Sequence, residues 1–187
     1  MKILTAVSAV LFSAVLTACS TPKPAPVVVA PPPPWAEPRI ASLTAVAKEQ
    51  GYEIQREGEQ IKLIIPVDGT FHPKRTLLLP SGLAPLGKVA KALKDDTGSQ
   101  FAVIGHSSSD GDRDLNRRLS MERAQAVASI LMLGGVSSKR LSLHTMGEDK
   151  PMADNSTATG RDLNRRVEIR LTPYPAPARM TLAATQP

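Results

Sequence analysis

Apolar residues between Arg39 and Leu171 recur with two rhythms, one near 3.6 residues and one of two. RIASLTAVAKEQ (39–50) has the helical spacing and stops before Gly51. Residues 52–55 and QIKLIIPV (60–67) predict a hairpin around the polar turn REGE, and Leu63, Ile64 and Ile65 in a row predict burial on both faces. After the loop DGTFHPKRT, Pro80 and Ser81 open a helix. Its Leu83, Leu86, Val89, Ala90 and Leu93 form one stripe, with Lys88 and Lys91 near the outer side. QFAVIG (100–105) reads as a short buried strand. A second long helix runs from about Asn116 to Leu133 and is ended by Gly134-Gly135. RLSLHTM (140–146) and NRRVEIRL (164–171) alternate and predict strands. Strands joined through helices imply βαβ units with right-handed crossovers. The fold class expected is therefore α+β, a two-layer sandwich with a mixed sheet and its helices on one face.

Two cations interrupt these rhythms. Stepping about 100° per residue along the second long helix places Leu119, Val127, Ile130 and Leu131 on one face and Arg123 among them. Asn116 lies one heptad earlier on the same line. In the last strand, Arg165 shares the parity of Val167, Ile169 and Leu171, which point to the core, while Arg166, Glu168 and Arg170 form the wet face. A buried cation requires an anion nearby. Two sources stand open: an internal acid such as Asp110, Asp112 or Glu148, or an external carboxylate, which suits a planar bidentate donor. The polar loop SSSDGDRD feeds a helix N-terminus, where unpaired N–H groups favour an anion. DLNRR occurs at 114–118 and again at 162–166, once at a helix start and once at a strand start, and is read as coincidence.

The ends follow other rules. Residues 1–18 read as a secretory signal peptide: Lys2 precedes a short apolar run and then small residues. Leu16-Thr17-Ala18-Cys19 resembles the lipobox of bacterial lipoproteins, which implies cleavage before Cys19 and its lipidation. Ser20, where an aspartate would signal inner-membrane retention, implies the outer membrane, with the domain facing the periplasm. Residues 19–38 form a proline-rich tether with eight prolines. At about 3.1 Å per residue such a tether spans roughly 60 Å. Residues 39–59 give the first helix and a hairpin strand, 60–171 the main domain, and 172–187 a proline-spaced tail expected to be disordered.

The net charge of +6 favours an anionic neighbour, such as lipid headgroups or a wall polymer. With 3% aromatic residues there are few stacking platforms, so no nucleic acid is expected as a partner. His72, His106 and His144 are scattered without metal-ligand spacing, and no cofactor motif is present. His106 beside Ser107, Ser108, Ser109 and Asp110 lacks the third group that orients a catalytic base, so no enzyme is expected.

Gly105-His106-Ser107-Ser108, Leu115-Asn116, Leu119-Ser120-Met121-Glu122-Arg123-Ala124, Gly147-Glu148, Pro151, Gly160-Arg161 and Asn164 through Ile169 together resemble the C-terminal domain of OmpA-like proteins. Phe71 through Leu79-Pro80 resembles that family's first strand-to-helix passage. The resemblance covers roughly residues 60–171 and implies a βαβαββ fold. It also implies non-covalent binding of peptidoglycan through the diaminopimelate of the stem peptide. In that resemblance Arg123 is the binding arginine, Asn116 the asparagine at the helix start and Arg165 the first arginine of the NRR segment. The family's Gly-x-Thr-Asp is here Gly105-His106-Ser107-Ser108, so Ser108 stands in place of a carboxylate. His72 follows Phe71 where the family often has aspartate. Asp110 or Asp112 is then the acid expected to reach the ligand's ammonium. The rival function is a protein-interaction module with an envelope protein partner.

Overall fold

A computed structural model describes residues 35–72 and 75–174; the leader, Cys19, the proline run up to Pro34 and the tail from 175 onward lie outside the described residues. The helical rhythm near the start becomes α1 (Ala36–Gln50), which stops at Gly51 in the left-handed region, φ 69°. The helix opens three residues earlier than its spacing predicts. Pro38 falls in its first turn, where a missing N–H breaks no intrahelical bond. Residues 35–38, assigned by composition to the tether, thus cap and begin α1. Trp35 Nε1 donates to the Gly98 carbonyl (2.9 Å), and Arg39 stacks on Trp35 while donating to Asp96 Oδ1 and Oδ2 (2.8 Å each).

β1 (Glu53–Glu57) and β2 (Gln60–Pro66) form the expected hairpin, turning at Gly58 with φ 60°. α2 (Pro80–Leu93), β3 (Ser99–His106), α3 (Arg113–Leu133) and β4 (Leu141–Gly147) follow. A short helix, α4 (Ala158–Asn164), then precedes β5 (Arg166–Pro173). The second DLNRR therefore spans the end of α4 and the start of β5. β5 also runs two residues further than its alternation predicts, so Thr172 and Pro173 belong to the sheet and pair with Gln100 and Ser99.

The sheet order is β1-β2-β5-β3-β4, parallel only between β3 and β4. One face carries Ile61, Leu63, Ile65, Phe101, Val103, Val167, Ile169 and Leu171 into a single core with α1, α2 and α3. Ile64 and Ile104 are buried on the other face, as the three-residue apolar run in β2 predicts.

Two helix stripes are rotated from their expected positions. On α2, Leu83 is exposed and Gly82 is buried, because a Cβ at Gly82 would lie 2.5 Å from the Thr70 carbonyl oxygen. On α3 the buried line is Asn116, Ser120, Arg123, Ala124, Val127, Ala128 and Leu131, while Leu119 and Ile130 are half-buried. The small residues let the helix lie close against β3. At Gly105 a Cβ would stand 1.8 Å from the Ser120 carbonyl oxygen, so only glycine fits.

The outer sheet face is not wet at its centre. Arg166 and Glu168 are 4% and 1% exposed, which corrects the parity reading. Arg166 Nη2 reaches the Lys150 carbonyl in the segment leading to α4 (3.3 Å).

Candidate functional site

The periodicity of α3 places Arg123 correctly. It is buried, 5% exposed, on the sheet-facing side of the helix. Among the described residues its guanidinium makes no hydrogen bond or ion pair, and its Nε is buried with no partner. Burial lowers its affinity for the proton, and repulsion from Arg165 lowers it further; Asp68 and Glu122 act the other way. Arg123, Arg165 and Asp68 thus lie close enough to feel one another.

None of the internal acids named from sequence neutralises Arg123. Asp110 Oδ2 meets Arg161 Nε at 2.9 Å. Asp112 caps α3, accepting from the Leu115 N–H at 2.8 Å. Glu148 Oε2 accepts from Asn116 Nδ2 at 2.9 Å. Of the two sources for the anion, the internal one is excluded for these three residues. It follows that neither Asp110 nor Asp112 stands uncommitted before the site.

Asn116 is buried and fully employed by the protein. Nδ2 donates to Glu148 and to the Asp110 carbonyl (3.0 Å), and Oδ1 accepts from Ser107 Oγ (3.0 Å). It ties the 107–112 loop to the start of α3 and orients what that loop carries. Ser108 is 3% exposed, and its hydroxyl makes no hydrogen bond among the described residues. Arg165 departs from its expected inward aim. It sits at the C-cap of α4, outside β5, and is half-buried. Its Nη2 donates to Asp68 Oδ2 (3.2 Å) and to Asp162.

Asp68, the acid that meets Arg165 and bears on Arg123, is the neighbour that the sequence pattern missed. It lies in a tightly bonded turn after β2: the Val67 N–H donates to the Arg165 carbonyl (2.9 Å), and the Thr70 and Phe71 N–H groups donate to the Val67 carbonyl (3.1 and 2.9 Å). The only signal was the Asp68-Gly69 pair itself, which marks a turn but not a partner.

No group of three or more His, Cys, Asp or Glu side chains among the described residues is placed to hold a metal ion. No helix among them is long and apolar enough to cross a membrane.

The arrangement is a buried, uncompensated guanidinium beside an ordered loop and a second, partly screened cation. It lies on the fold that the sequence resemblance implied. Residues 70–165 match the OmpA family, and the chain belongs to it. Over 133 residues it is 41% identical to the probable lipoprotein YiaD of Escherichia coli K12, covering 71% of this chain and 61% of that protein. It is 34% identical over 129 residues to the outer-membrane lipoprotein YfiB of Pseudomonas aeruginosa, covering 69% of this chain and 76% of the relative. The solved cell wall anchor of the Pseudomonas aeruginosa T6SS superposes with a TM-score of 0.64 at 28% identity, over 72% of this chain and 96% of that one. None of these three names an enzyme.

Proposed function

We propose that this chain is an outer-membrane lipoprotein that anchors the membrane to the cell wall. Lipid on Cys19 holds the outer membrane, the proline-rich segment bridges part of the periplasm, and the folded domain grips peptidoglycan non-covalently. The ligand is the diaminopimelate of the stem peptide, whose free carboxylate pairs with Arg123. Asn116 orients the loop bearing Ser108 and Asp110, and Arg165 adds positive potential at the rim. The observation that carries this reading is Arg123, a buried cation whose acceptor is missing from the described part of the protein. Evolution of a fold rarely tolerates such a charge unless something external completes it.

The test is sedimentation of the full chain, in mild detergent, with purified wall sacculi at low salt. The wild type is expected in the pellet and Arg123→Met in the supernatant. A wild type left in the supernatant, or an Arg123→Met variant that pellets equally, overturns the proposal. One observation favours the rival role of a module for an envelope protein: Ser108 stands where the family has a carboxylate. That role predicts the first of the two overturning results.

A further inference from the structure

Diaminopimelate ends in a zwitterion, so its carboxylate cannot enter without an ammonium alongside. Beside two guanidiniums that ammonium is repelled unless an anion meets it. Ser108 has no charge. Asp110 is paired with Arg161, Asp112 caps α3, and Glu148 holds Asn116. Glu122 accepts from Thr76 Oγ1 at 3.1 Å. Asp162 pairs with Arg165.

Asp68 remains. Its Oδ2 lies 3.2 Å from Arg165 Nη2, and its side chain is 57% exposed, so the carboxylate still has room for a second donor. Of the two acids that act on Arg123, it acts the more strongly. The turn that carries it is pinned by three backbone hydrogen bonds to and from Val67, and Arg165 fixes the carboxylate from the other side. A carboxylate so held is preorganised to accept from a ligand ammonium.

We propose that Asp68 is the specificity residue for the amino group of the ligand, taking over the work that Ser108 cannot do. This rests on the wall-binding reading above. The pairing Asp68 with ammonium and Arg123 with carboxylate makes the site selective for a zwitterion rather than for any acid.

The experiment is calorimetric titration of the full chain with two tripeptides. One is L-alanyl-γ-D-glutamyl-meso-diaminopimelate; in the other, hydrogen replaces the free-end ammonium. The wild type is expected to prefer the amine-bearing peptide by about tenfold, the scale of one hydrogen bond to a charged group. Asp68→Asn is expected to bring that preference below about twofold while the deaminated peptide still binds, since its carboxylate contact is untouched. Asp162→Asn should keep the preference. A wild type indifferent to the amine, or an Asp68→Asn variant that retains the full preference, overturns the assignment and leaves wall binding standing. If the wild type binds neither peptide, the wall-binding reading falls and this inference falls with it.

Discussion

Arg123 and Arg166 are both buried guanidiniums on adjoining parts of the fold, and they are satisfied in opposite ways. Arg166 donates through Nε and Nη2 to Glu168 Oε1 at 2.9 and 2.7 Å, and more distantly to the Asn164 and Lys150 carbonyls. Arg170 Nε takes the other oxygen of Glu168 at 2.8 Å. Burial alone would raise the Glu168 carboxyl, but the neighbouring His106 ring and the Arg166 and Arg170 guanidiniums hold it well below the usual range. The His106 contact, 3.4 Å to Oε1, is close but leaves both ring nitrogens without a good hydrogen bond. This cluster is closed: each cation has its acid within the chain. Arg123 has burial of the same order and, among the described residues, no hydrogen-bonded or ion-paired acid. Residue type and burial do not separate the two arginines; the inventory of acceptors does.

Breaking the closed cluster should therefore cost stability, and altering the open site should cost binding. The largest effect is expected from Glu168→Ala. It leaves two cations without their acid in a buried setting and should destabilise by about 3–5 kcal/mol in urea denaturation. Arg123→Met removes a cation that has no hydrogen-bonded partner to lose among the described residues. It should leave the midpoint unchanged or higher, and a loss as large as that of Glu168→Ala would erase the contrast.

Acid should expose the same division. Burial lowers the His106 value below 6.5, so the unfolded chain takes up that proton first and stability begins to fall as pH drops through about 6.5. The folded Glu168 value is depressed below 4.5, so its contribution is complete above that pH and fades as pH falls further toward the depressed value. A melting temperature that stays level from pH 7 to pH 4 would contradict this. Arg123→Met should reproduce the wild-type profile, because neither titrating group belongs to its site.

The smallest change sharpens the open site. Ser108→Asp should tighten binding of the diaminopimelate tripeptide by about tenfold through a charge-assisted bond. Unchanged affinity would place Ser108 out of the ligand's reach.

The elements whose rhythm persists over many residues were legible from sequence. α3 runs for 21 residues, long enough for the 3.6-residue period to set Arg123 on the inner face despite the shift toward Ser120, Ala124 and Ala128. α4 has seven residues, ATGRDLN, too short and too polar to show a stripe. Missing it misplaced Arg165, because strand parity was extended one residue beyond the strand: at the C-cap, φ −76° and ψ 88° are not those of β5. Parity did put Arg166 and Glu168 on the outer face. What it could not convey is that Arg166 reaches the Lys150 carbonyl, 16 residues back along the chain, and that the Arg166 and Glu168 side chains are buried there. Asn116 was legible as a helix-start residue, yet its partners Ser107, Asp110 and Glu148 are gathered only by folding. Asp68 belongs to the same class, 97 residues from Arg165.

The clasp of Trp35 and Arg39 on Gly98 and Asp96 has a mechanical corollary. It grips the chain beside the first residue of β3, whereas the loop from Ser107 to Asp112 leaves that strand's last residue. Eight strand residues, about 26 Å, separate the two. In a tether between membrane and wall, tension would therefore run lengthwise through β3. Its ladders to β5 on one side and β4 on the other would be loaded in shear, all rungs sharing the strain, rather than peeled open one at a time.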